Sequence, residues 1–386
     1  MGEPLARPAV DTFDSRTERI GGDTGGLICV SVAFFVPTVE SAEHVLTSGT
    51  AIPSMTEALF LRSDEVADLA TPAEYVDAVR EAYRQRGEGA PAEPRTKLIR
   101  EDPAGMFTGY AAVLPETGAM GGYMYSAGFG AGDAWFVTPL FDADTGEPLA
   151  IVDGASMNPF KTGAAGAVGI DALARGDATE LAIIGSGAQA RGQLKAAVTV
   201  REFDRVRVYS PTPANREAFA EETTDAVDPA VEPVESAAAA VDGADVVVTA
   251  TNASEPVLAD ADVEPGTHVT AMGQYTPGKN ELEPETIARA RYVPDLRERA
   301  TQDAGSFLAA LEAELIDEDH VHAELGEVVA GVEPGRTGPE EVTVFDSGGT
   351  GIETTAGAYL LYRRARKAGR GTEIDFAPAS EALTGK

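Results

Sequence analysis

The sequence predicts an α/β fold in which a parallel, doubly wound sheet is accompanied by a second, α+β domain. Three observations lead to this prediction. Between residues 181 and 345, short apolar runs alternate with helical segments, as in sheets whose crossover helices cover both faces. Residues 94–152 instead show short β-like runs separated by glycine and proline. The chain has 386 residues, enough for two or three domains at ~150 residues each.

The first 54 residues differ from the rest, because they are rich in Gly, Ser and Thr and lack clear periodicity. A regular succession of strand and helix begins only at Met55. We therefore expect residues 1–54 to be a poorly ordered N-terminal extension, with Met55 as the true beginning.

A helix is predicted to begin at Thr71, with Pro72 at its first position and Glu74 at the capping-box position. The β-like runs that follow fall at 106–114, 134–141 and 149–152. The turn at residues 144–146 (Asp-Thr-Gly) joins the last two runs and predicts a hairpin.

The alternating part of the chain follows an apolar helix predicted at 162–175. The strands of this part are predicted at 181–184, 206–209, 246–250, 268–272, 292–294 and 342–345. Its helices are predicted at 185–200, 214–223, 235–241 and 284–290, and a long helix at 351–368 follows the last strand.

The composition excludes several classes of function. The formal net charge of −33 disfavours nucleic acids and anionic membranes as partners, and the sequence has no compensating basic run. Because 43% of the residues are hydrophobic, the charge does not indicate disorder. An excess of acids with few lysines resembles the surface of halophilic proteins, in which high salt screens the self-repulsion; an ordinary acidic protein is the alternative.

Cellular location is constrained only weakly. The single cysteine, Cys29, cannot form an internal disulfide, so nothing implies an oxidising compartment. The longest apolar run, residues 26–36, is shorter than the ~18 residues of a membrane span. We therefore expect a cytoplasmic protein without a membrane partner.

The motif with the clearest chemistry is the segment 185–190, Gly-Ser-Gly-Ala-Gln-Ala, which follows a predicted strand and opens a helix. In this context Gly185 permits a tight turn and Gly187 lets the backbone approach a pyrophosphate. Ala190 allows the helix to pack on the strand. The helix N-terminus supplies amide donors. The motif predicts a Rossmann-type site for NAD(P).

The end of the second strand of this unit bears on the choice of cofactor. A carboxylate at this point would bind the ribose 2′-hydroxyl of NAD, but no Asp or Glu occurs from Val206 to Arg216. Ser210, Thr212 and Arg216 are candidate ligands for a 2′-phosphate, which favours NADP(H). Alternatively, these residues merely cap the next helix.

Taken in order along the chain, the motifs resemble those of the ornithine cyclodeaminase/μ-crystallin/archaeal alanine dehydrogenase superfamily. The resemblance covers residues 55–371 and rests on segments at 94–95, 144–148, 153–154, 161–165, 184–191, 249–251, 273–282, 325–327, 335–336 and 343–347. It implies a homodimer and a split chain. Residues 55–160 with 341–386 would form the substrate-binding and dimerisation domain, and residues 161–340 the Rossmann domain.

The resemblance also implies site residues. Arg95 matches the arginine that grips the substrate carboxylate, a task for which its forked guanidinium is suited; a surface ion pair is the alternative. The implied cofactor contacts lie in the glycine turn and at later strand ends: Gly185, Gly187, Ala188, Gln189, Thr249, Thr251, Met272, Gly273, Lys279 and Ser347.

Several positions depart from the family pattern. Tyr123 occupies the position at which the family usually has a substrate-binding lysine. Lys161 stands where the family usually has an arginine in the helix that links the domains, and Tyr275 stands where cyclodeaminases have an acid after the fifth strand of the Rossmann sheet. The first-domain glutamate of cyclodeaminases falls at Thr108. The loss of both carboxylates argues against cyclodeamination, which needs a base.

The remaining groups suit reduction of an imine or a 2-oxo acid by NAD(P)H. We expect Arg95 and Lys97 to bind a small anionic substrate, and Lys161, Tyr123 and Tyr275 to be catalytic. A Lys or Tyr would donate a proton with the help of a lowered pKa. The alternatives are that Tyr123 is a core aromatic, that Lys97 is solvated, and that Tyr275 packs on the cofactor.

Three functional hypotheses follow from the sequence. The first is an NAD(P)-dependent enzyme of the alanine dehydrogenase or ketimine reductase type. The second is an ornithine cyclodeaminase-type lyase that recycles NAD internally, and the third is a non-catalytic, μ-crystallin-like protein that binds NADP and a ligand. Because His268, His320 and His322 lack partners at metal-ligand spacing, no metal is expected.

Overall fold

The computed structural model describes residues 55–224 and 227–384, so the expectation for residues 1–54 lies outside the described residues. The strands are β1 (Thr56–Leu61), β2 (Thr96–Glu101), β3 (Ala104–Leu114), β4 (Ala119–Gly128), β5 (Asp133–Asp142), β6 (Pro148–Asp153), β7 (Glu180–Ile184), β8 (Arg205–Tyr209), β9 (Val231–Pro233), β10 (Val246–Thr249), β11 (His268–Ala271), β12 (Arg291–Pro294), β13 (Thr343–Asp346) and β14 (Thr372–Phe376). The α-helices are α1 (Ser63–Val66), α2 (Pro72–Gly87), α3 (Asn158–Leu173), α4 (Ala188–Val200), α5 (Pro213–Thr224), α6 (Ala237–Val241), α7 (Pro284–Arg289), α8 (Arg297–Asp303), α9 (Gly305–Glu312), α10 (Leu325–Val329), α11 (Gly351–Ala368) and α12 (Ala379–Thr384).

The second half of the chain forms the predicted doubly wound sheet. Its strand order is β12-β13-β11-β10-β7-β8-β9, and every pairing is parallel. Along β7, Leu181 and Ile183 pack into one apolar cluster and Ala182 and Ile184 into another. Successive side chains of a strand point to opposite faces. Both faces of this sheet are therefore covered, and the Rossmann-type architecture is confirmed.

Six strands from the first half of the chain, together with β14 from its C-terminal part, build a seven-stranded mixed sheet in the order β14-β1-β6-β5-β4-β3-β2. Only the β1–β6 pairing is parallel, and the predicted hairpin of β5 and β6 is present. The capping box predicted at Thr71 and Glu74 opens α2. Helix α11 packs against α2 and against β3 and β4, so the last long helix completes the core of the first sheet.

One domain boundary differs from the prediction. Strand β13 (Thr343–Asp346) pairs with β11 and β12, so it belongs to the second sheet, whereas the sequence had placed the return to the first domain at residue 341. The return follows β13 and begins with α11 at Gly351. The reason is register, because residues 343–346 complete the parallel ladder beside His268–Ala271.

The outer face of the first sheet, which we call the apolar face, is defined by Leu98, Phe107, Met124, Trp135 and Val137. These side chains are each between 41% and 63% exposed. They share one face because the cross-strand pairs place them opposite one another or two residues apart. A depression of about 840 Å³ lies over part of this face. No helix among the described residues combines the length and the apolar character that a membrane span requires.

Candidate active site

The glycine turn between β7 and α4 has the geometry that the sequence predicts. Gly185 has a φ of +120°, and an added Cβ would collide with the carbonyl oxygen of Ala250. Gly187 is the N-cap of α4, and an added Cβ there would meet only open space. The side-chain Oε1 of Gln189 is buried without a hydrogen-bond partner. The turn therefore fits a pyrophosphate, which would lie against the free amides of α4.

A buried carboxylate, Glu281, holds two neighbouring strand ends in place. It accepts hydrogen bonds from the Thr249 hydroxyl (2.8 Å), from the Thr251 amide and hydroxyl (both 2.7 Å) and from the Gly273 amide (2.7 Å). Burial raises the pKa of Glu281, while these donors oppose the shift. The hydroxyls of Thr249 and Thr251 thus shape the loops after β10 and β11, which the sequence had assigned to cofactor contact.

Arg95 is almost fully buried where the chain enters β2. Its Nη2 donates to the carbonyl oxygens of Gly348 and Gly349, the latter at 2.9 Å, and its Nε lies 3.5 Å from Asp303. Its guanidinium carbon lies 5.5 Å from the ring centre of Tyr110. The surface ion pair considered from the sequence is therefore excluded, and the guanidinium is held by contacts from both halves of the fold.

The loop that supports Arg95 is fixed by a second buried arginine. Arg299 contacts three carboxylates, those of Asp295, Asp303 and Asp346. Asp295 in turn accepts hydrogen bonds from the amides of Gly348 and Gly349, at 2.8 Å and 3.0 Å. Charge balance in this cluster is required, because an unpaired buried charge would be costly.

Lys161 lies on α3, and its Nζ is 3.0 Å from Oε1 of Glu353 in the first turn of α11. Both side chains are nearly inaccessible to solvent. Burial is the largest influence and lowers the pKa of Lys161. The charge of Glu353, the hydroxyl of Tyr110 and the hydrogen bond to Glu353 together outweigh it, so the pKa ends above its ordinary value. The sequence-based expectation of a lowered pKa is therefore wrong for Lys161, which is a stable ammonium ion.

These groups meet in one cleft of about 370 Å³ between the two sheets. Of the predicted site residues, the structure places ten along its wall: Arg95, Lys161, Gly187, Ala188, Gln189, Thr251, Met272, Gly273, Tyr275 and Ser347. Residues that were not predicted also line it, among them Met106, Tyr110, Tyr125, Phe136, Asn158 and Asn252.

An aromatic wall covers the side of the cleft formed by the first sheet. The rings of Tyr125 and Phe136 lie 4.9 Å apart between centres, and Tyr110 is 6.5 Å from Tyr125. The signal for this wall was present in the sequence, because Tyr123 and Tyr125 are two residues apart on β4 and so share a face. The pattern did not reveal which of the two tyrosines would reach the cleft.

Tyr123 does not line the cleft, and the prediction that it is catalytic is not supported. It is 1% exposed, and its hydroxyl donates to the carbonyl oxygen of Gly154 at 3.0 Å. Burial raises its pKa well above the ordinary value. The Nζ of Lys161 lies 5.0 Å from its ring centre. Tyr123 therefore supports Lys161 through a cation–π contact, as the core-aromatic alternative anticipated.

Lys97 is likewise absent from the wall of the cleft. Its Nζ lies 2.9 Å from Oδ2 of Asp303 and donates to the carbonyl oxygen of Tyr275 at 2.7 Å. It is therefore not a solvated lysine, because its head group is paired with a carboxylate and a backbone carbonyl of the second half of the fold. The partners could not be found from sequence spacing, since both lie far along the chain in the second half of the fold.

The predicted ligands of a 2′-phosphate lie at the end of β8, outside the wall of the cleft. Ser210 is buried and its carbonyl oxygen accepts from Nη1 of Arg216 at 3.0 Å, while Thr212 is exposed. Lys279 lies outside the wall too, with its Nζ 5.5 Å from the ring centre of Tyr275. Within residues 55–224 and 227–384, no group of three His, Cys, Asp or Glu side chains is placed to hold a metal ion.

Comparison with known proteins gives a consistent result. A model of the ornithine cyclodeaminase/mu-crystallin family matches residues 56–369. A Delta(1)-pyrroline-2-carboxylate reductase from Bacillus cereus is 35% identical over 241 residues, which cover 62% of this chain and 74% of the relative.

Two solved structures are similar over most of the chain. One is the Thermococcus litoralis Delta(1)-pyrroline-2-carboxylate reductase in complex with NADH and L-proline, with a TM-score of 0.77 and 32% identity over 82% of this chain and 100% of that one. The other is an archaeal alanine dehydrogenase dimer with bound NAD, with a TM-score of 0.77 and 32% identity over 83% of this chain and 100% of that one.

Proposed function

Because this chain belongs to the ornithine cyclodeaminase/mu-crystallin family, we propose that it is an NAD(P)-dependent oxidoreductase that reduces the imine of a small 2-oxo acid to the amino acid. The observation that carries the proposal is the cleft, whose wall contains the cations Arg95 and Lys161 together with residues of the glycine turn. An anionic substrate bound to these cations would lie beside the position expected for a nicotinamide.

The chemistry follows from the charges in the cleft. Arg95 would bind the substrate carboxylate through its guanidinium, and Lys161, kept charged by Glu353, would add a second cation. A bound reduced nicotinamide supplies the hydride. The carbon of a protonated C=N group accepts this hydride directly, so no protein group has to donate a proton during that step. A stable ammonium at Lys161 is compatible with this reaction, because the residue orients the substrate and does not act as an acid.

The shape and polarity of the cleft favour a monocarboxylate with an apolar ring or side chain. Tyr110, Tyr125 and Phe136 form the wall beside Arg95, and Arg95 and Lys161 are the cations among the lining residues. A second substrate carboxylate would face the aromatic wall, where desolvation is costly. We therefore propose that a cyclic imine such as pyrroline-2-carboxylate is a better substrate than a dicarboxylic imine.

Nicotinamide absorbance tests the proposal in molar KCl with pyrroline-2-carboxylate, with pyruvate plus ammonia and with an iminosuccinate-type substrate. Oxidation of NAD(P)H that depends on the imine is expected, with pyrroline-2-carboxylate the best substrate. An enzyme preparation that binds NAD(P)H but oxidises none across this panel would refute the proposal and favour a μ-crystallin-like binding protein.

Cyclodeamination is the second candidate, and the cleft disfavours it. Among the residues that line the cleft there is no Asp or Glu, whereas the reaction needs a base at the amine. Glu353 is committed to Lys161 and is buried. Release of proline from ornithine without net reduction of NAD would revive this candidate.

For the cofactor, we propose that NADPH is accepted at least as well as NADH. The support is the absence of an acidic residue from Val206 to Arg216, which removes the repulsion that excludes a 2′-phosphate. A kcat/KM for NADH more than ~10-fold above that for NADPH would contradict this proposal.

We also propose that the protein is a homodimer and a halophilic enzyme. The apolar face places five exposed large apolar side chains beside one another, which supports an interface between two copies. The net charge of −33 supports a dependence on salt. Light scattering tests the dimer, and denaturant unfolding between about 0.1 M and 3 M KCl tests the salt dependence, which should be positive.

A further inference from the structure

Lys97 makes a contact between the two sheets that neither the family resemblance nor the proposed reaction assigns. It lies on β2 of the first sheet, whereas Tyr275 follows β11 of the second sheet and Asp303 ends α8. The Nζ of Lys97 reaches the backbone carbonyl oxygen of Tyr275 (2.7 Å) and Oδ2 of Asp303 (2.9 Å). Its side chain is 15% exposed.

The residue that Lys97 holds is itself part of the cleft. Tyr275 lines the cleft beside Gly273 and Met272, and its ring centre is 5.6 Å from the guanidinium carbon of Arg95. The segment 273–280 is anchored at its start, where the Gly273 amide donates to Glu281 and the Gln274 side chain donates to Asp346 and accepts from the Glu281 amide. In its middle, the carbonyl of Tyr275 is tied to the first sheet through Lys97.

We propose that Lys97 is a positioning residue that holds the loop 273–280 over the cleft, so that the ring of Tyr275 covers the substrate beside Arg95. The proposal rests on the proposed function, since it treats the cleft as the substrate site. An ammonium has three donor hydrogens and a positive charge, so it can donate to the carbonyl and pair with the carboxylate at the same time, whereas a methionine side chain of similar length has no donor. Asp303 keeps the charge of Lys97 compensated while it also contacts Arg95.

The alternative is that Lys97 binds the substrate carboxylate itself, and a double-mutant cycle separates the two. Tyr275→Ala removes the ring but leaves the carbonyl that Lys97 uses. If Lys97 acts through Tyr275, then Lys97→Met and Tyr275→Ala each lower kcat/KM about 10-fold, with the same split between KM and kcat, and the double variant is no worse than the poorer single variant. Losses that multiply to about 100-fold would overturn the proposal.

Hydrogen exchange of the NADH-loaded protein provides a readout that does not depend on turnover. Amides of residues 273–280 should exchange faster in Lys97→Met than in the unmodified protein. Lys97→Arg, which keeps the charge and the donors, should restore slow exchange and bring kcat/KM back to within about 3-fold. Lys367→Met, at an exposed position near the end of α11, is the matched control and should change neither measurement.

The outcomes remain distinguishable if the proposed function fails. Unchanged exchange at 273–280 in Lys97→Met overturns the positioning role, whatever the activity. If exchange at 273–280 is faster in Lys97→Met but the unmodified protein reduces no imine, the proposed function is refuted and the positioning role remains.

Discussion

Replacement of Glu353 by glutamine should leave the ammonium of Lys161 buried without a counter-charge. The two groups are 3.0 Å apart, and neither side chain is more than 2% exposed. Glutamine keeps the length of the side chain and an oxygen acceptor for the amide of Thr350, which caps α11. The substitution therefore removes the negative charge of the pair and changes the packing little.

The loss in the free energy of unfolding depends on whether Lys161 stays charged or loses its proton, whichever costs less free energy. Breaking a buried pair from one side costs about 3–5 kcal/mol. Deprotonation of Lys161 limits this loss, because one pH unit corresponds to about 1.4 kcal/mol and the ordinary lysine pKa is about 10.4. At pH 7 the limit is therefore about 4.6 kcal/mol, and at pH 9 it falls to about 1.9 kcal/mol.

The loss in the free energy of unfolding should consequently shrink as the pH rises from 7 to 9. In the unmodified protein the pKa of Lys161 lies above its ordinary value, so the contribution of the pair is complete below about pH 10.4 and is lost only as the pH rises through the folded pKa. Between pH 7 and 9 the unmodified protein is thus insensitive to this group. The pH dependence of the difference should arise in the variant, because burial without the Glu353 charge is expected to lower the pKa of Lys161.

Urea unfolding at fixed salt and protein concentration, followed by tryptophan fluorescence, measures this difference. Trp135 is the single tryptophan of the chain and lies on β5, so its signal follows the sheet that α11 covers. Glu74→Gln is the matched control, because Glu74 holds the same capping-box position in α2 but pairs with Arg364 near the surface. It should cost less than ~1 kcal/mol. A Glu353→Gln loss below ~1 kcal/mol at pH 7, or one that grows towards pH 9, would refute the reasoning.

Three further substitutions test the site and the apolar face. Arg95→Lys should raise the KM of the imine about 10- to 100-fold, because an ammonium cannot bind a carboxylate with two parallel hydrogen bonds as a guanidinium does. The NADH affinity should be unchanged in a fluorescence titration. An unaltered KM would show that Arg95 does not bind the substrate. Gly185→Ala should weaken NADH binding at least ~10-fold, since the Cβ meets the carbonyl of Ala250 at a φ of +120°; normal affinity would show that the turn is not the cofactor site. Met124→Glu places a charge on the apolar face and should halve the mass measured by light scattering; a persistent dimer would locate the interface elsewhere.

The second sheet could be predicted from the sequence because its strands are buried on both faces. Runs such as residues 181–184 and 246–248 are continuously apolar, and the glycines that follow β7 mark the turn to α4. The last strand was placed in the wrong domain, because residues 342–345 indicate a strand but carry no information on which sheet they join.

The candidate site was predicted only in part, and the errors share a cause. Motifs gave the positions of Arg95 and Lys161, whose partners Asp303 and Glu353 lie about 200 residues further along the chain. Sequence spacing does not reveal such contacts, because they depend on how elements that are distant in the sequence pack together. The lowered pKa expected for Lys161 failed for this reason, since it considered burial without Glu353.

The split of the first sheet has a consequence for synthesis on the ribosome. Its central strands are made early, but β14, which pairs with β1, and α11, which closes its core, are made last. The second sheet is contiguous in sequence and can form as soon as β13 has emerged, whereas the earlier-made strands must wait with apolar surfaces uncovered. A nascent chain that stalls before α11 would therefore carry a finished second sheet and an unfinished, aggregation-prone first sheet, whose core closes only when α11 docks.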